Sequence, residues 1–163
     1  MTDWNRIVRD HGPMVFGTAW RVLGHTADTE DVVQEVFLEA HRLGQAQPVR
    51  HWGGLLRRLA AYRALDRLRQ RKVSVPLDGL ALLGSGDAPE EQAIGRELAE
   101  RLRQAVAQLP EREGSVFCLR CFEDLSYEQI AETLDISRGA VATALHKARA
   151  KLEALLTEVV KGD

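Results

Sequence analysis

The stretch 126–152, SYEQIAETLDISRGAVATALHKARAKL, decides the fold of the C-terminal half. Ser126 is a residue type that caps helix N-termini, and Gln129 follows three positions later, as a capping box requires. A short helix is therefore predicted to begin here. Its apolar face would comprise Ile130, Ala131 and Leu134.

A second helix is predicted directly after this one. Asp135 and Ile136 would make a tight turn, and Ser137 would cap the new helix. Between Ser137 and Lys151 the sequence has four basic residues and no acidic one. The buried positions would be Val141, Leu145, Ala148 and Leu152, spaced by three or four residues. This pattern predicts a helix-turn-helix.

In a helix-turn-helix, the second helix places the residues near its N-terminus in the major groove of duplex DNA. Small side chains there allow close approach, and polar ones reach base edges or phosphates. The candidate duplex-binding residues are Ser137, Arg138, Gly139, Ala140, Thr143, His146, Lys147 and Arg149. The alternative is a plain helical hairpin whose basic side chains are only solvated.

Charge is distributed unevenly along the 163 residues, although the formal net charge is only −2. The segment 50–72 has eight basic residues, with Asp66 as its one acid. Such a local cationic stripe indicates a nucleic-acid partner better than net charge does. No apolar run is long enough to span a membrane, and the N-terminus does not resemble a signal peptide. A cytoplasmic protein without membrane insertion is expected.

Cys118 and Cys121 form a CxxC pair within the apolar run VFCLRCF. A lone CxxC in a helix is not a zinc motif, because a second ligand pair is missing. Both thiols are expected on one helix face, buried as small hydrophobic groups. The histidines are scattered and no catalytic or metal-binding set is recognisable, so we expect no enzyme activity, metal or cofactor.

The N-terminal half is predicted to contain three helices. Asp3 would cap the first, Gly12-Pro13 would break or kink it, and Gly24 would end it. Thr26 would cap the second. The second helix would bury Val32, Val36, Ala40 and either Phe37 or Leu38. Its polar face would carry Asp31, Gln34, Glu35 and Glu39.

A loop over 43–49 is expected to precede a basic helix over 51–72. Trp52 and Tyr62 are set among its cations, and guanidinium groups beside aromatic rings suit single-stranded DNA. Packing of the same aromatics in the core is the alternative. The apolar stripe would comprise Leu55, Leu56, Leu59, Ala60, Leu65 and Leu68. The basic residues are Arg57, Arg58, Arg63, Arg67, Arg69, Arg71 and Lys72.

Residues 73–89 are rich in glycine and proline and predict a linker between two domains, 1–72 and 90–163. A helix over 90–109 would bury Ile94, Leu98, Leu102, Ala105, Val106 and Leu109. Pro110 would begin the next helix, which leads into the helix-turn-helix. The protein is predicted to be all-α: two small helical bundles joined by a flexible linker.

These segments together resemble a known family. ADTEDVVQEVFLEAHR resembles the AeDlvQevFl helix of bacterial RNA polymerase sigma factors, and LLRRLAAYRALDRLRQRK is similar to the WLxxIAxNxxxDxLRxxx helix that follows it. LPEREGSVFCLRCFEDLSYEQIAETLDIS is similar to the family's LPxxxRxvfxLryxexlsyxEIAexLgis block. With only these two domains, the chain resembles the extracytoplasmic-function (ECF) class.

The resemblance implies a transcription initiation factor that directs core RNA polymerase to promoters. Domain 1–72 would bind core polymerase and melted promoter DNA, and domain 90–163 would read the upstream element as duplex. Anti-sigma partners are common in the family. The implied polymerase contacts are Asp31, Gln34, Glu35 and Phe37. The implied melted-strand contacts are Trp52, Arg58, Tyr62, Arg63, Arg67, Arg69, Arg71 and Lys72.

The sequence departs from the family pattern at several positions. The family tryptophan of the basic helix falls at Leu55 and its asparagine at Tyr62. In the recognition helix, Ala142 and Ala144 replace a lysine and an arginine. Two fewer phosphate contacts would lower the salt dependence of binding by roughly 0.9 each. A stand-alone helix-turn-helix regulator is the alternative function, although it gives the basic helix no role.

Overall fold

The computed structural model describes residues 2–74 and 90–161, and these residues form helices without any strand. The predicted linker therefore lies outside the described residues, except for Val73 and Ser74, which continue the basic helix. The α-helices are α1 Trp4–Leu23, α2 Thr26–Ala46, α3 Trp52–Ser74, α4 Glu90–Val106, α5 Glu111–Phe117, α6 Tyr127–Leu134 and α7 Arg138–Lys161. A π-helical turn, Cys118–Phe122, lies between α5 and α6. The all-α prediction is confirmed.

Helix α1 begins and ends where the sequence predicts. The Asp3 side chain accepts a hydrogen bond from the backbone N–H of Arg6, and Gly24 ends the helix with φ 63°. This left-handed conformation costs glycine little because it has no Cβ. Of the two predicted effects of Gly12-Pro13, the break is wrong, since Pro13 lies inside one continuous helix.

Helix α2 departs from the prediction at both ends. His25, not Thr26, is its N-cap: His25 has an extended backbone and its Nδ1 accepts from the N–H of Asp28 at 3.3 Å. The helix also runs through Leu43 to Ala46, so the loop before α3 is shorter than expected. Leu38 is 73% exposed, whereas Phe37 is partly buried.

The N-terminal bundle packs α1, α2 and α3 around one core. Its fully buried side chains are Val15, Val22, Val32, Val36, Leu56 and Leu65. The predicted stripe of α3 is confirmed, because Leu59, Ala60 and Leu68 are also buried. Because this apolar face must lie on the core, it fixes the rotation of α3 about its own axis, and therefore the directions in which its arginines point.

The helix-turn-helix forms as predicted. Ser126 and Gln129 make both bonds of the capping box, and Asp135 ends α6 in the left-handed region with φ 55°. The Ser137 hydroxyl accepts from the N–H of Ala140 at 3.0 Å and caps α7. The buried positions of α7 are Val141, Ala144, Leu145, Ala148 and Leu152.

Two predictions of burial in this half are wrong. Cys118 is buried, but Cys121 is exposed, because the wider π turn no longer brings positions three apart onto one face. Burial raises the pKa of the Cys118 thiol to about 12. On α4, Ile94 and Leu98 are 52% and 60% exposed, whereas Leu102 and Ala105, further along the helix, pack on the core.

Candidate nucleic-acid and polymerase interfaces

The outer face of α7 presents nearly every predicted duplex-binding residue to solvent. Only Ala140 is half-buried. Arg138 is paired loosely with Glu128 on α6, at 3.4 Å, and both side chains are well exposed. The exposed members are Ser137, Arg138, Gly139, Thr143, His146, Lys147 and Arg149. A capped N-terminus carrying these side chains can approach a major groove or its phosphates.

The two alanine departures differ in position. Ala142 is exposed on the outer face, but Ala144 is 4% exposed and lies in the core. Only position 142 therefore lies on the face that would meet DNA. Behind that face, the ammonium of Lys151 bonds both carboxylate oxygens of the nearly buried Glu113, at 2.8 and 3.0 Å, which ties α7 to α5.

The acidic face of α2 is bound to the middle of α3. Arg67 donates to Glu35 at 2.8 Å and lies 3.5 Å from Asp31. Arg63 donates its Nε–H to Glu39 at 2.8 Å, and that hydrogen bond raises the Arg63 pKa. Asp31 and Gln34 are exposed at residue level, whereas Glu35 and Phe37 are half-buried. Arg67, a predicted melted-strand residue, thus pairs with Asp31 and Glu35 of the predicted polymerase face.

Further along α3, the arginines contact the C-terminal half. Arg69 donates to the backbone carbonyl of Leu109 at 2.6 Å. Arg71 donates to Asp28 at 2.7 Å and to the carbonyl of Leu23 at 3.2 Å, and it lies 3.4 Å from Glu100. Lys72 lies in the last turns of the same helix.

The two aromatic residues of α3 are both partly buried. Trp52 packs edge-to-face on Trp4, with ring centroids 5.0 Å apart. Burial raises the pKa of Tyr62, and the charges of Arg58, Glu111 and Arg112 act on it more weakly. The alternative interpretation, in which both aromatic residues pack against the core, therefore fits the structure, although each stays partly exposed. Arg58 is also half-buried.

Sequence reasoning missed a set of residues that join the two halves. Glu123, beside the π turn, accepts hydrogen bonds from Thr18 and Arg21 of α1. Arg103 of α4 donates to the carbonyl of Val22 at 3.0 Å, and burial lowers its pKa. These contacts join residues about eighty or more positions apart, and no local sequence pattern predicts them.

Within residues 2–74 and 90–161, no helix is long and apolar enough to cross a membrane. The same residues include no cluster of three or more His, Cys, Asp or Glu side chains placed to hold a metal ion.

A helix-turn-helix bundle joined to a bundle with a cationic helix defines a two-domain DNA-binding protein. Comparison with known proteins makes this specific. The family models for sigma-70 region 2 and sigma-70 region 4 match residues 7–74 and 99–152. The chain belongs to the sigma-70 family and, within it, to the extracytoplasmic-function sigma factors of RNA polymerase.

Curated relatives extend the similarity over most of the chain. The ECF RNA polymerase sigma factor SigW of Bacillus subtilis is 28% identical over 94% of this chain and 88% of its own length. The ECF sigma factor SigF of Caulobacter vibrioides is 30% identical over 88% of this chain and 77% of its own.

The fold is also similar to a solved structure of the sigma factor CnrH in complex with the cytosolic domain of CnrY. That structure matches with a TM-score of 0.57 at 24% identity, covering 95% of this chain and 88% of that one. CnrH of Cupriavidus metallidurans is a curated relative at 30% identity over 94% of this chain.

Membership in this family defines the function in general terms. The protein is an initiation factor that directs RNA polymerase to promoters, in a family of non-catalytic factors. A stand-alone regulator is not favoured, because the region 2 match covers the whole basic helix.

Proposed function

We propose that residues 1–72 bind core polymerase and the melted promoter strand, while residues 90–163 read the upstream promoter element as duplex DNA. The observation that carries this proposal is the outer face of α7, where capped backbone and exposed cations lie together. Duplex recognition needs such a face, because phosphate contacts position the helix and base contacts select the sequence.

The acidic face of α2 supports a separate role for the N-terminal domain. Asp31, Gln34, Glu35 and Phe37 would form the polymerase contact. Acids at the rim of an interface raise the association rate with a basic partner and suppress wrong partners. The ion pairs of Asp31 and Glu35 with Arg67 hold that surface against α3.

Melted DNA would be held by α3. Its residues combine guanidinium groups, which suit phosphates, with aromatic rings on which unpaired bases stack. In this mechanism, base capture favours strand opening because the protein binds the open strand and not the closed duplex. The proposed contacts are Trp52, Arg58, Tyr62, Arg63, Arg67, Arg69, Arg71 and Lys72.

The protein would act without a chemical reaction of its own and without a cofactor. Its partners, polymerase and promoter DNA, place its action in the cytoplasm. The fold is also similar to the sigma factor RpoE, solved in complex with the anti-sigma factor NepR from Bartonella quintana, and this supports an anti-sigma partner for this chain as well. Such a partner would co-purify with the chain and block its association with core polymerase.

Transcription in vitro tests the proposal. Purified protein and core polymerase, given a promoter library, should start RNA synthesis at a defined subset of sites that core polymerase alone ignores. The matched control is duplex binding without polymerase, which should be weak. Tight, sequence-specific duplex binding without polymerase, together with no directed initiation, would instead favour a stand-alone regulator.

A further inference from the structure

Three aromatic rings meet at the end of the N-terminal bundle where α1 begins. The rings of Trp4 and Trp52 pack edge-to-face, with centroids 5.0 Å apart and planes at 74°. Trp4 also contacts the imidazole of His41 on α2, at a centroid distance of 4.8 Å. Edge-to-face packing is favourable because the positive edge of one ring meets the negative face of the other. Trp4 is therefore the central ring, and it joins α1 to α2 and to the first residue of α3.

Helix α2 leaves room for the two tryptophans because it has no side chain at position 44. A Cβ at Gly44 would lie 2.7 Å from Cη2 of Trp52 and 3.5 Å from Cζ2 of Trp4. The shorter distance is closer than real Cβ atoms come to a neighbour, so any larger residue would displace the Trp52 ring. Glycine within a helix costs stability relative to alanine. At this position the cost is offset by the close approach of the ring.

Cations next to this cluster in the chain stay accessible. The Arg42 side chain is 76% exposed. Arg50 and His51 directly precede Trp52, and both are exposed. Trp4 and Trp52 are only half-buried. Accessible rings beside accessible cations suit an unpaired strand, because bases stack on the rings and phosphates pair with the cations.

Trp4 lies outside the part of the chain that matches the sigma-70 region 2 model, which begins at residue 7. Within the matched part, the family tryptophan of the basic helix falls at Leu55, and Leu55 packs against the core. Trp52 is therefore the indole that this chain offers near the start of α3. The residue that holds it, Trp4, comes from beyond the matched segment.

We propose that Trp4 is a positioning residue for capture of the melted strand. Together with Gly44, it holds the Trp52 ring in the orientation on which an unpaired base stacks. This inference rests on the proposed function, which assigns Trp52 to melted DNA. A ring that is already fixed binds a base more tightly than a mobile one, because less side-chain freedom is lost on binding. Trp4 acts through Trp52 and needs no contact with DNA of its own.

Loss of this support should weaken one activity and spare the others. Stacking of a single base on an aromatic side chain is strong enough that its loss should weaken single-strand binding about tenfold. Association with core polymerase, assigned to the acidic face of α2, should not change. Duplex binding by the outer face of α7 should not change either.

Two full-length variants displace the Trp52 ring by different means. Trp4→Ala removes the supporting ring, and Gly44→Ala places a methyl group against Trp52. Each has a matched control. Trp4→Phe keeps a ring at position 4, and Gly95→Ala adds the same methyl group to a helix where a Cβ would meet no other described atom within 4 Å. Circular dichroism selects the variants that keep their helices, and either displacing variant alone decides the test.

The measurement uses holoenzyme assembled from each variant and core polymerase. The probes are single-stranded oligonucleotides with both strand sequences of a promoter that the wild-type holoenzyme transcribes, each with 2-aminopurine at one position. Stacking on an indole quenches the fluorescence of this base, so the wild type should quench the probe at a defined position. Trp4→Ala and Gly44→Ala should lose that quenching and bind the strand about tenfold more weakly, whereas both controls should behave as the wild type.

Unchanged quenching and affinity in a folded displacing variant would overturn the positioning role. Equal losses of strand binding and core association would overturn it too, because Trp4 would then support the bundle as a whole. So would tight strand binding by the wild type without quenching at any position. A wild-type holoenzyme that starts no promoter-directed transcription and binds neither strand would reject the proposed function itself, whereas wild-type binding with unaffected variants confines the failure to Trp4.

Discussion

The helices α3 and α7 both carry rows of cations, yet they present them differently. Arg67 and Arg71 of α3 are 23% and 19% exposed, and acids or carbonyl oxygens bind both. On α7, the Arg138 side chain is 69% exposed, and His146 and Lys147 are also exposed. The central arginines of α3 are thus bound within the protein, whereas the cations near the N-terminus of α7 face solvent.

The difference shows that a run of basic residues does not by itself define a DNA-binding face. Cationic side chains bind carboxylates or carbonyl oxygens that lie within reach. Helix α3 is packed against other helices, so such oxygens lie within reach inside the fold. Helix α7 has one side on the core and the other in solvent, so Lys147 stays exposed, whereas Lys151 binds Glu113. If α3 binds melted DNA as proposed, phosphates would have to replace the protein partners of Arg67 and Arg71.

Replacing the two arginines that reach the C-terminal half should have the largest effect. Arg69→Ala with Arg71→Ala should lower open-complex formation about a hundredfold, since each lost charged hydrogen bond costs about 1.5 kcal/mol. Core association should remain near the wild-type level. Permanganate reactivity of melted bases and native gels measure the two properties, and equal losses in both would place these arginines outside the melted-strand surface.

The core behind the exposed helix should respond to alkaline pH. Burial raises the pKa of Cys118 from 9.0 to about 12. Between these values the thiol ionises in the unfolded chain but not in the folded one, so stability falls as pH rises. The loss should reach about 2 kcal/mol by pH 10.5. Urea unfolding at pH 8 and 10.5 measures it.

A variant at the same site controls for other alkaline effects. Cys118→Ala should lose most of this pH dependence, whereas Cys121→Ala, at the exposed position, should retain it. The buried-thiol explanation fails if wild type and Cys118→Ala show the same dependence.

Reversing one charge on α2 tests the polymerase surface. Glu35→Lys should weaken core association about tenfold, or about 1.4 kcal/mol, because it inverts an interface charge and faces Arg67. Glu30→Lys, an exposed position on the same helix, is the control. Fluorescence titration of core polymerase gives both affinities, and unchanged association of Glu35→Lys would remove this face from the interface.

Restoring a cation on α7 tests which face meets duplex DNA. Ala142→Lys should steepen the salt dependence of holoenzyme binding to the upstream element by about 0.9. Ala144→Arg should instead destabilise the domain, since position 144 lies in the core. A steeper salt dependence with Ala144→Arg and none with Ala142→Lys would mean that the helix is turned differently on DNA.

Removing a cation from the same face should produce the smallest change. Lys147→Ala should lower that salt dependence by about 0.9 through loss of one phosphate contact. The matched control is Lys151→Ala, because Lys151 binds Glu113 inside the domain. If both alanine variants lower the slope alike, the effect comes from net charge and not from a contact.

Local patterns predicted the elements well where the deciding interactions are local. The capping box of Ser126 and Gln129, the Ser137 cap and the apolar stripe of α3 all depend on residues within a turn or two of one another. The errors arose where neighbours in space decide the outcome. Cys121 is exposed because it lies in a π turn. Ile94 and Leu98 are exposed although their spacing is typical of a buried helix face.

The sequence by itself determined the all-α class, the helix-turn-helix, the two cationic helices and the family to which the chain belongs, because these follow from periodicity, caps and motif order. Only the tertiary structure decided which cations are available. The pairing of Arg67 with Glu35, of Arg71 with Asp28 and of Glu123 with Arg21 depends on how helices pack across the core. Electrostatic contacts between distant residues leave no periodic signal, so the packed structure alone determines which cations are paired within the protein and which face solvent.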